Sequence, residues 1–265
     1  MKSTVYAMKW VLGIGMLFVL FYSPCHAQNS EDLISDEWNV AFEDNCTDDW
    51  TTNWILDGKR ATIENTPYGM HFEAGPEAGD DAHHAVLWTK EAFSGDIKIE
   101  YDYTRTDAAN KYVTLLYIQA TGDEEAAFAK DIMEWNNLRE VPAMKTYFEN
   151  MKLLHISYAA FGNKGDGFYY VRARQYPKPK NKPFAVTQIQ PSYDYKGFFK
   201  TNQKYHVTAI KSGKMLYFKI ESMDGEELFS WDLSDLTPIT AGRIGLRHMY
   251  TRSAIYKNFK VYTKN

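Results

Sequence analysis

The residues best suited to chemistry lie between positions 133 and 174, where histidine, arginine, tyrosine and amide side chains recur. A β-strand points alternate side chains to opposite faces of its sheet. In the strand predicted at Leu153–Gly162, His155 and Ser157 therefore share one face. In the strand predicted at Tyr169–Tyr176, one face carries two arginines flanked by two tyrosines, namely Tyr170, Arg172, Arg174 and Tyr176. Adjacent strands of this kind would line up imidazole, guanidinium and phenol groups for an acidic or hydroxyl-rich ligand.

The chemistry that this combination serves best is β-elimination beside a uronic acid in a polysaccharide. Such a lyase neutralises a carboxylate, removes a proton from the adjacent carbon and protonates the leaving oxygen. Arg172 and Arg174 could clamp the carboxylate through bidentate hydrogen bonds, and His155 could accept the proton. Tyr170 or Tyr158 could act as the base or the acid. The residues predicted to bind substrate around them are Gln119, Asn136, Arg139, Tyr158, Tyr176, His248 and Arg252.

Each of these residues also has a structural interpretation. A solvated strand face with stacked arginines and one hydrogen-bonded histidine explains any single residue better than catalysis does, and only the whole set favours a site. Tyr158 shares a strand face with the apolar Leu154 and Ile156, so it belongs to the core unless a bulge shifts the strand. The turn that carries His248 and Arg252 fits a groove wall and a polar loop equally well.

A pair of carboxylates offers hydrolysis as the second chemistry. Asp131 and Glu134 lie three residues apart on a predicted helix and so share a face. Glycosidases hold two carboxyl groups about 5 to 9.5 Å apart. Jelly-roll glycosidases carry Glu-x-Asp-x-x-Glu on one strand, which this chain lacks, so a capping or rim ion pair explains the two residues better. Glu134 stays the best single acid, and a non-catalytic glycan-binding module is the third alternative.

Metal ligands are sparse in the sequence. His83 and His84 are adjacent and would face opposite ways on a strand, and neither His-x-His nor His-Glu-x-x-His occurs, so no zinc site is predicted. The loops Gly75–Asp81 and Asn45–Asp49 offer oxygen ligands that suit a structural Ca²⁺. Neither has EF-hand spacing, and a solvated acidic loop is the preferred interpretation. The predicted chemistry requires no cofactor.

The N-terminus has the features of an export signal. Lys2 and Lys9 precede an apolar run at Trp10–Tyr22, which is too short to span a bilayer comfortably, and small residues at Cys25 and Ala27 suit signal peptidase. We therefore predict a signal peptide at 1–27 and an exported protein, periplasmic or extracellular, that has no membrane partner after cleavage. A lipid anchor at Cys25 is the less favoured alternative. Removal of Cys25 leaves Cys46 as the single cysteine, so no internal disulfide can form.

Composition narrows the choice of ligand. The formal net charge is −4, and loss of the two leader lysines makes it −6 (−4 minus 2). A nucleic-acid partner would need a basic field, so it is excluded, whereas a local arginine cluster can still bind an acidic glycan. Aromatic residues make up 15% of the chain, and they serve either as sugar-stacking platforms or as sandwich core.

The rest of the chain reads as short alternating strands separated by turn residues, which is typical of an all-β sandwich. Besides the two strands named above, strands are predicted at Asn39–Asp44, Arg60–Asn65, Gly69–Glu73, His84–Thr89, Asp96–Tyr103, Tyr112–Ala120, Tyr205–Ser212, Met215–Ser222, Glu227–Asp232, Arg243–His248 and Ala254–Tyr262. Short helices at Asp131–Leu138 and Val141–Met151 interrupt the pattern and are expected to shape a cleft rim. Pro177–Phe199 is predicted as a long loop with a functional or mobile role.

The sequence also resembles a known family. From Asn39 to Tyr262 it is similar to the YesU-like family of bacterial proteins, in the segments IQATG, DIMEWNNLREVPAM, LHISYAAFGN and YVRARQYP. The closing segment GRIGLRHMYTRSAIYKNFKVY is similar to the last strands of concanavalin-like jelly rolls. The resemblance implies a two-sheet jelly roll, and such proteins occur beside enzymes that degrade pectin-type and other uronic-acid polysaccharides. It supplies no residue roles.

We therefore predict a single all-β domain at 28–265, a concanavalin-like jelly-roll β-sandwich with a short helical insertion. Its expected function is that of an exported carbohydrate-active protein that engages polysaccharide fragments, acidic ones included, in a groove. A lyase is the leading hypothesis. The alternatives are a glycoside hydrolase and a non-catalytic glycan-binding module.

Overall fold

A computed structural model describes residues 38–162, 168–194 and 197–264. The predicted signal peptide, with Cys25, lies outside the described residues. The described chain forms fifteen strands in two antiparallel sheets, as the alternating pattern predicted.

The first sheet has eight strands. They are β1 (Asn39–Asp44), β3 (Thr62–Thr66), β4 (Gly69–Glu73), β6 (Ile97–Arg105), β11 (Lys204–Ser212), β12 (Met215–Ser222), β13 (Gly225–Asp232) and β15 (Ser253–Thr263). Their order is β13-β12-β11-β6-β15-β4-β3, and β1 pairs with β15. We call this the eight-stranded sheet.

The second sheet has seven strands. They are β2 (Trp54–Asp57), β5 (Ala85–Ser94), β7 (Thr114–Gly122), β8 (Met151–Phe161), β9 (Tyr169–Tyr176), β10 (Gln188–Asp194) and β14 (Ala241–His248). Their order is β10-β9-β8-β7-β14-β5-β2. We call this the seven-stranded sheet, and its side away from the eight-stranded sheet is its outer face.

The core lies between the sheets because both present an apolar face to each other. In β6, Ile97, Ile99, Tyr101 and Tyr103 are buried there, while the residues between them are half-buried on the opposite side. Burying large aromatic side chains in this way contributes much of the stabilisation, since the one cysteine in the described residues, Cys46, forms no disulfide. The high aromatic content of the sequence is thus largely core.

A helical segment forms a partial third layer on the outer face. It consists of a 3₁₀ helix at Ile132–Arg139 and the helix α1 at Met144–Asn150. Asp131 caps the first, where its side chain accepts a hydrogen bond from the Met133 backbone N–H. The segment buries an apolar surface against the sheet, so the outer face has its own hydrophobic cluster. We call residues 132–150 the helical cover.

The predicted strands all occur, with shifts of a few residues at their ends. The predicted loop at Pro177–Phe199 was in part wrong, because it contains a 3₁₀ helix at Phe184–Thr187 and the edge strand β10. The sequence also missed β2. Two further 3₁₀ helices lie at Trp50–Thr52 and Asp81–His83. Each helix in the described ranges is too short or too polar to cross a membrane.

Candidate functional site

The outer face of the seven-stranded sheet carries polar groups in two cross-strand rows. One row runs Arg174–His155–Tyr117–Gly245–Trp88, and the next runs Arg172–Ser157–Leu115–Arg247–Val86–Asp57. Strands in a sheet lie about 4.8 Å apart, so adjacent members of a row are close neighbours. The histidine and the two arginines share one face of adjacent strands, as predicted, although His155 and Arg174 are buried on that face and not open to solvent as a groove would require. We call His155, Ser157, Tyr170, Arg172 and Arg174 the arginine face.

His155 is held firmly within this face. Its Nδ1 lies 2.9 Å from the Tyr176 hydroxyl and its Nε2 lies 2.7 Å from the Ser157 hydroxyl. Only 2% of the residue is exposed. Burial, and then the positive charge of Arg174, hold the pKa of His155 well below its usual value. The imidazole is therefore neutral at physiological pH, with both ring nitrogens engaged inside the protein.

Each of the two arginines lies over an aromatic ring. The Arg172 guanidinium is 4.3 Å from the centre of the Tyr170 ring, and that of Arg174 is 4.4 Å from the Phe184 ring. Each also donates a hydrogen bond to a hydroxyl group, Arg172 to Ser192 and Arg174 to Thr187. These contacts fix the orientation of both guanidinium groups.

Tyr170 is half-buried beside Arg172. Burial raises the pKa of its phenol. The hydroxyl therefore stays protonated at neutral pH and suits hydrogen-bond donation better than proton abstraction.

The buried and half-buried arginines of the described chain divide into two groups. Arg105, Arg139, Arg243 and Arg252 each pair with an aspartate. In contrast, Arg172, Arg174 and Arg247 have no carboxylate within 4.0 Å among the described residues. A guanidinium removed from water without a counter-ion is costly, so a bound anion would complete Arg172 and Arg174, the two members of this group on the arginine face.

Arg247 lies beneath the helical cover and is 0% exposed. Its Nη2 donates to His84 Nδ1 at 2.6 Å and to the Pro142 carbonyl at 2.7 Å, and the guanidinium stacks on the Tyr147 ring. Its other two nitrogens have no hydrogen-bond partner in the described structure. Burial, followed by the charge of Arg247, lowers the pKa of His84 to about 2. The sequence predicted Arg247 within the strand Arg243–His248, but the register that brings it into line with Ser157 and Arg172 is not visible in the sequence.

Asp57 fastens the helical cover to the sheet. Its carboxylate accepts hydrogen bonds from Trp88 Nε1 (2.7 Å), Asn136 Nδ2 (2.7 Å), Arg139 Nε (2.5 Å) and the Tyr147 hydroxyl (2.8 Å). Asn136 and Arg139, predicted to bind substrate, are thus engaged in holding the cover in place, with Arg139 fully buried. This corrects their assignment, since neither is directed at an external ligand.

Three more predicted contacts lie inside the fold. Gln119 is buried and donates to the backbone carbonyls of Phe93 and Gly95. Tyr158 and His248 face the inter-sheet core. The Tyr158 hydroxyl and His248 Nε2 both form a hydrogen bond with the Tyr256 hydroxyl. The predicted core position of Tyr158 is therefore confirmed, and a substrate contact by it or by His248 is not compatible with this placement.

Arg252 is buried as well. Its Nε donates to Asp107 at 3.0 Å, and its Nη1 donates to the carbonyls of Tyr112 and Ala159. It therefore joins β8 to the segment between β6 and β7, which corrects the expectation that it contacts substrate. Tyr176 is also buried, and its role in the arginine face is to hydrogen-bond His155.

The predicted carboxylate pair lies elsewhere. Asp131 forms a two-pronged ion pair with Arg243 (3.1 and 3.0 Å), which lowers the pKa of that aspartate. Glu134 is exposed and lines a cleft with Asp131 and Arg243, and the arginine face contributes no residue to that cleft. The rim ion pair that the sequence favoured over catalysis is confirmed for Asp131. Glu134 is not brought to His155.

One group in the described residues has the spacing for a metal, Glu77, Asp80 and His83. The Glu77 backbone N–H donates to Nδ1 of the His83 ring at 3.2 Å. In a neutral ring, Nε2 then carries the proton, and it points towards the two carboxylates at 3.7 and 3.8 Å. A metal would need a free lone pair at Nε2, so the residues fit a hydrogen-bonded loop better than the structural Ca²⁺ considered for Gly75–Asp81.

Comparisons with known proteins bear on the fold. The sequence profile of a family described as a domain of unknown function, DUF1961, matches residues 43–261. No curated protein matches the chain. Among solved structures, a Bacillus subtilis protein of unknown function with a galectin-like fold is 18% identical, with a TM-score of 0.67, over 86% of this chain and 100% of its own.

Two lectin-like structures are also similar. Basic winged bean lectin with Tn-antigen is 8% identical, with a TM-score of 0.54, over 83% of this chain and 96% of its own. The exoplasmic/lumenal domain of VIP36, in a form bound to Ca²⁺ and Man3GlcNAc, is 10% identical, with a TM-score of 0.51, over 80% of this chain and 86% of its own. At these identities the likeness establishes the fold alone, and it confirms the predicted jelly roll.

Proposed function

We propose that this protein recognises acidic carbohydrate on the arginine face. The chain belongs to the DUF1961 family, whose description assigns no activity. The observation that carries the proposal is the set of oriented guanidinium groups without carboxylate partners among the described residues. The ligand would supply the missing anion. The proposal includes membership of the YesU-like proteins within this family. It also includes export of the protein after loss of residues 1–27.

The chemistry of the face favours a carboxylate on a sugar. Arg172 and Arg174 are two residues apart on one strand, so their guanidiniums lie on the same side and can bind one carboxylate together or two carboxylates of neighbouring sugars. The protonated Tyr170 hydroxyl adds a donor for sugar hydroxyls, and its ring adds an apolar surface. The winged bean lectin and VIP36 structures hold sugars on the same fold, which lends support at the level of fold only.

β-Elimination is the second candidate, and one observation favours it. His155 is neutral and adjoins both arginines, the combination needed to remove a proton beside a neutralised carboxylate. In the structure, however, its ring is covered and both nitrogens are engaged, so elimination would require the ring to be uncovered when substrate binds. Recognition requires no such change and is therefore the leading proposal.

The experiment measures binding and product together. The protein is titrated with polygalacturonate oligosaccharides and with uncharged galactan, and the ultraviolet absorbance of unsaturated uronides is followed in the same samples. We expect salt-sensitive binding of the acidic ligand only, weakened about 10- to 100-fold by Arg172→Gln or Arg174→Gln, since a hydrogen bond to a charged group contributes about 1.5–3 kcal/mol. Arg60→Gln, at an exposed arginine outside the face, is the matched control.

Equal binding of both polymers, or unchanged binding by the Arg172 and Arg174 variants, would refute the recognition proposal. New absorbance that disappears in His155→Gln, with binding retained, would establish the lyase. Reducing ends released without absorbance would instead indicate hydrolysis, for which the arginine face has no carboxylate pair in the described residues.

A further inference from the structure

A cavity of about 210 Å³ lies at one end of the sandwich. Its walls come from β8 and β9 of one sheet, from β11 of the other, and from connecting segments that include Gly95–Asp96, Gly213–Lys214 and residues 233–240. Its apolar lining is made by Leu154, Leu233, Leu236, Pro238 and Ile239. Protein interiors rarely leave voids much larger than a water molecule, and an apolar cavity of about 150 Å³ accepts benzene. The cavity is therefore large enough for a small organic molecule.

A lysine occupies the position where the core pattern calls for an apolar residue. In β11, Tyr205, Val207 and Ala209 point into the core, and Lys211 takes the next inward position. Lys211 is only 6% exposed and lines the cavity. Its apolar stem fits the core, while its ammonium group is brought to the cavity wall.

The Lys211 ammonium is incompletely partnered. It donates to the Ile239 carbonyl at 2.8 Å, although an ammonium group carries three donors. No carboxylate lies within 4.0 Å of it in the described residues. The nearby Asp96 uses its two oxygens to accept from the Ser212 hydroxyl and the Gly213 N–H. Asp96 also lines the cavity, but its carboxylate lies more than 4.0 Å from the ammonium, so Lys211 has no ion-pair partner in the described residues.

We infer that this cavity binds a small organic acid of about eight or nine non-hydrogen atoms in all, with an apolar body and a carboxylate that pairs with Lys211. The apolar lining would bury the body, and the ammonium group would replace part of its lost hydration with a charge-assisted hydrogen bond. The cavity and the arginine face lie on opposite sides of β8, because Leu154 points into the former and His155 into the latter. The inference therefore does not rest on the proposed glycan recognition.

The test compares benzoate with benzamide, which has the same shape but no charge. Binding is measured by NMR titration and calorimetry of the full protein, and intermolecular NOEs to the Leu154 methyl groups locate the ligand. We expect benzoate to bind at least about 10-fold more tightly than benzamide, since a charge-assisted bond contributes about 1.5–3 kcal/mol. Lys211→Met keeps the apolar stem and should abolish the difference between the two ligands.

Two matched variants complete the design. Lys214→Met removes an exposed lysine at the rim of the same cavity, and Arg174→Gln alters the other side of the sheet. Both should leave benzoate binding unchanged. No NOE from benzoate to Leu154, equal affinity for benzamide, or unchanged benzoate binding by Lys211→Met would each overturn the inference, and none of these results would bear on the glycan site.

Discussion

Asp57→Asn is the substitution that tests most directly how the helical cover is held on the sheet. The change keeps the size of the side chain but removes its charge and turns one acceptor oxygen into a donor. Asp57 is 1% exposed and accepts from four side chains. Three of these donors belong to the cover, so the cover and the sheet share a single anion.

The expected loss of stability follows from what the substitution leaves behind. Arg139, fully buried and stacked on Trp135 at 4.3 Å, would keep its charge without a counter-ion. Removing one partner of a buried ion pair costs about 3–5 kcal/mol, because the other charge stays desolvated. We expect Asp57→Asn to lower the free energy of unfolding by that amount. Removing Arg139 as well, in Asp57→Asn/Arg139→Met, should recover part of the loss.

Urea unfolding followed by near-ultraviolet circular dichroism measures the effect, and a double-mutant cycle gives the coupling between the two residues. Glu140→Gln is the matched control, because it removes an exposed ion pair with Lys59 (2.6 Å) from the same segment and should cost less than about 1 kcal/mol. A loss below about 1 kcal/mol for Asp57→Asn, or a double variant as unstable as the sum of the singles, would refute the reasoning.

Three further predictions concern titration and reactivity. A hydrogen bond to Asp102 raises the pKa of His206. The pair therefore stabilises the fold below the pKa of the unfolded state, and this contribution is lost as pH rises through the pKa of the folded state. Because the pair is half-exposed, the effect stays under about 1 kcal/mol, and urea unfolding of His206→Gln should show a lower stability than the native protein at pH 5.5 and an equal one at pH 9. Burial lowers the pKa of His248 to about 3, so this residue alone contributes about 1.4 kcal/mol per pH unit to the loss of stability as pH drops from about 6 towards 4. His84 and His155, whose pKa values burial also lowers, add to the total, so His248→Gln should reduce the slope by that amount, and an unchanged slope would contradict this. Burial raises the pKa of Cys46 to about 12, so little reactive thiolate forms at pH 8. In a Cys25→Ser variant, iodoacetamide should therefore label Cys46 about 1,000-fold more slowly in the folded protein than after denaturation. Fast labelling of the folded protein would contradict this prediction.

Much of the fold could be predicted because its signals are local. Strands such as β6 alternate cleanly between apolar and charged residues, and turn residues separate them. The strands that were missed lack these signals. β2 has only four residues, and β10 carries Pro191, which is tolerated because β10 is the edge of its sheet. Neither a short strand nor an edge strand with proline stands out in composition.

The site was predictable only where it depends on alternation within a strand. His155, Arg172 and Arg174 share a face because of strand parity, which the sequence displays. The partners of Asn136, Arg139 and Gln119 depend on tertiary contacts, such as the carboxylate of Asp57 some eighty positions away in the chain. Polarity alone therefore marked these residues as ligand contacts, whereas the fold uses them to satisfy its own buried groups.

The pairing of the arginines separates structural roles from functional ones more clearly than their burial does. Arg139 and Arg174 are both buried and both stack on an aromatic ring, yet only Arg139 has an aspartate against it. If Arg174 served stability, a carboxylate beside it would lower its desolvation cost, as one does for Arg139. A chain that supplies counter-ions elsewhere but leaves Arg172 and Arg174 without one in the described structure gives up stability at the arginine face. Such a loss is typical of a surface kept ready for a ligand that brings the missing charge.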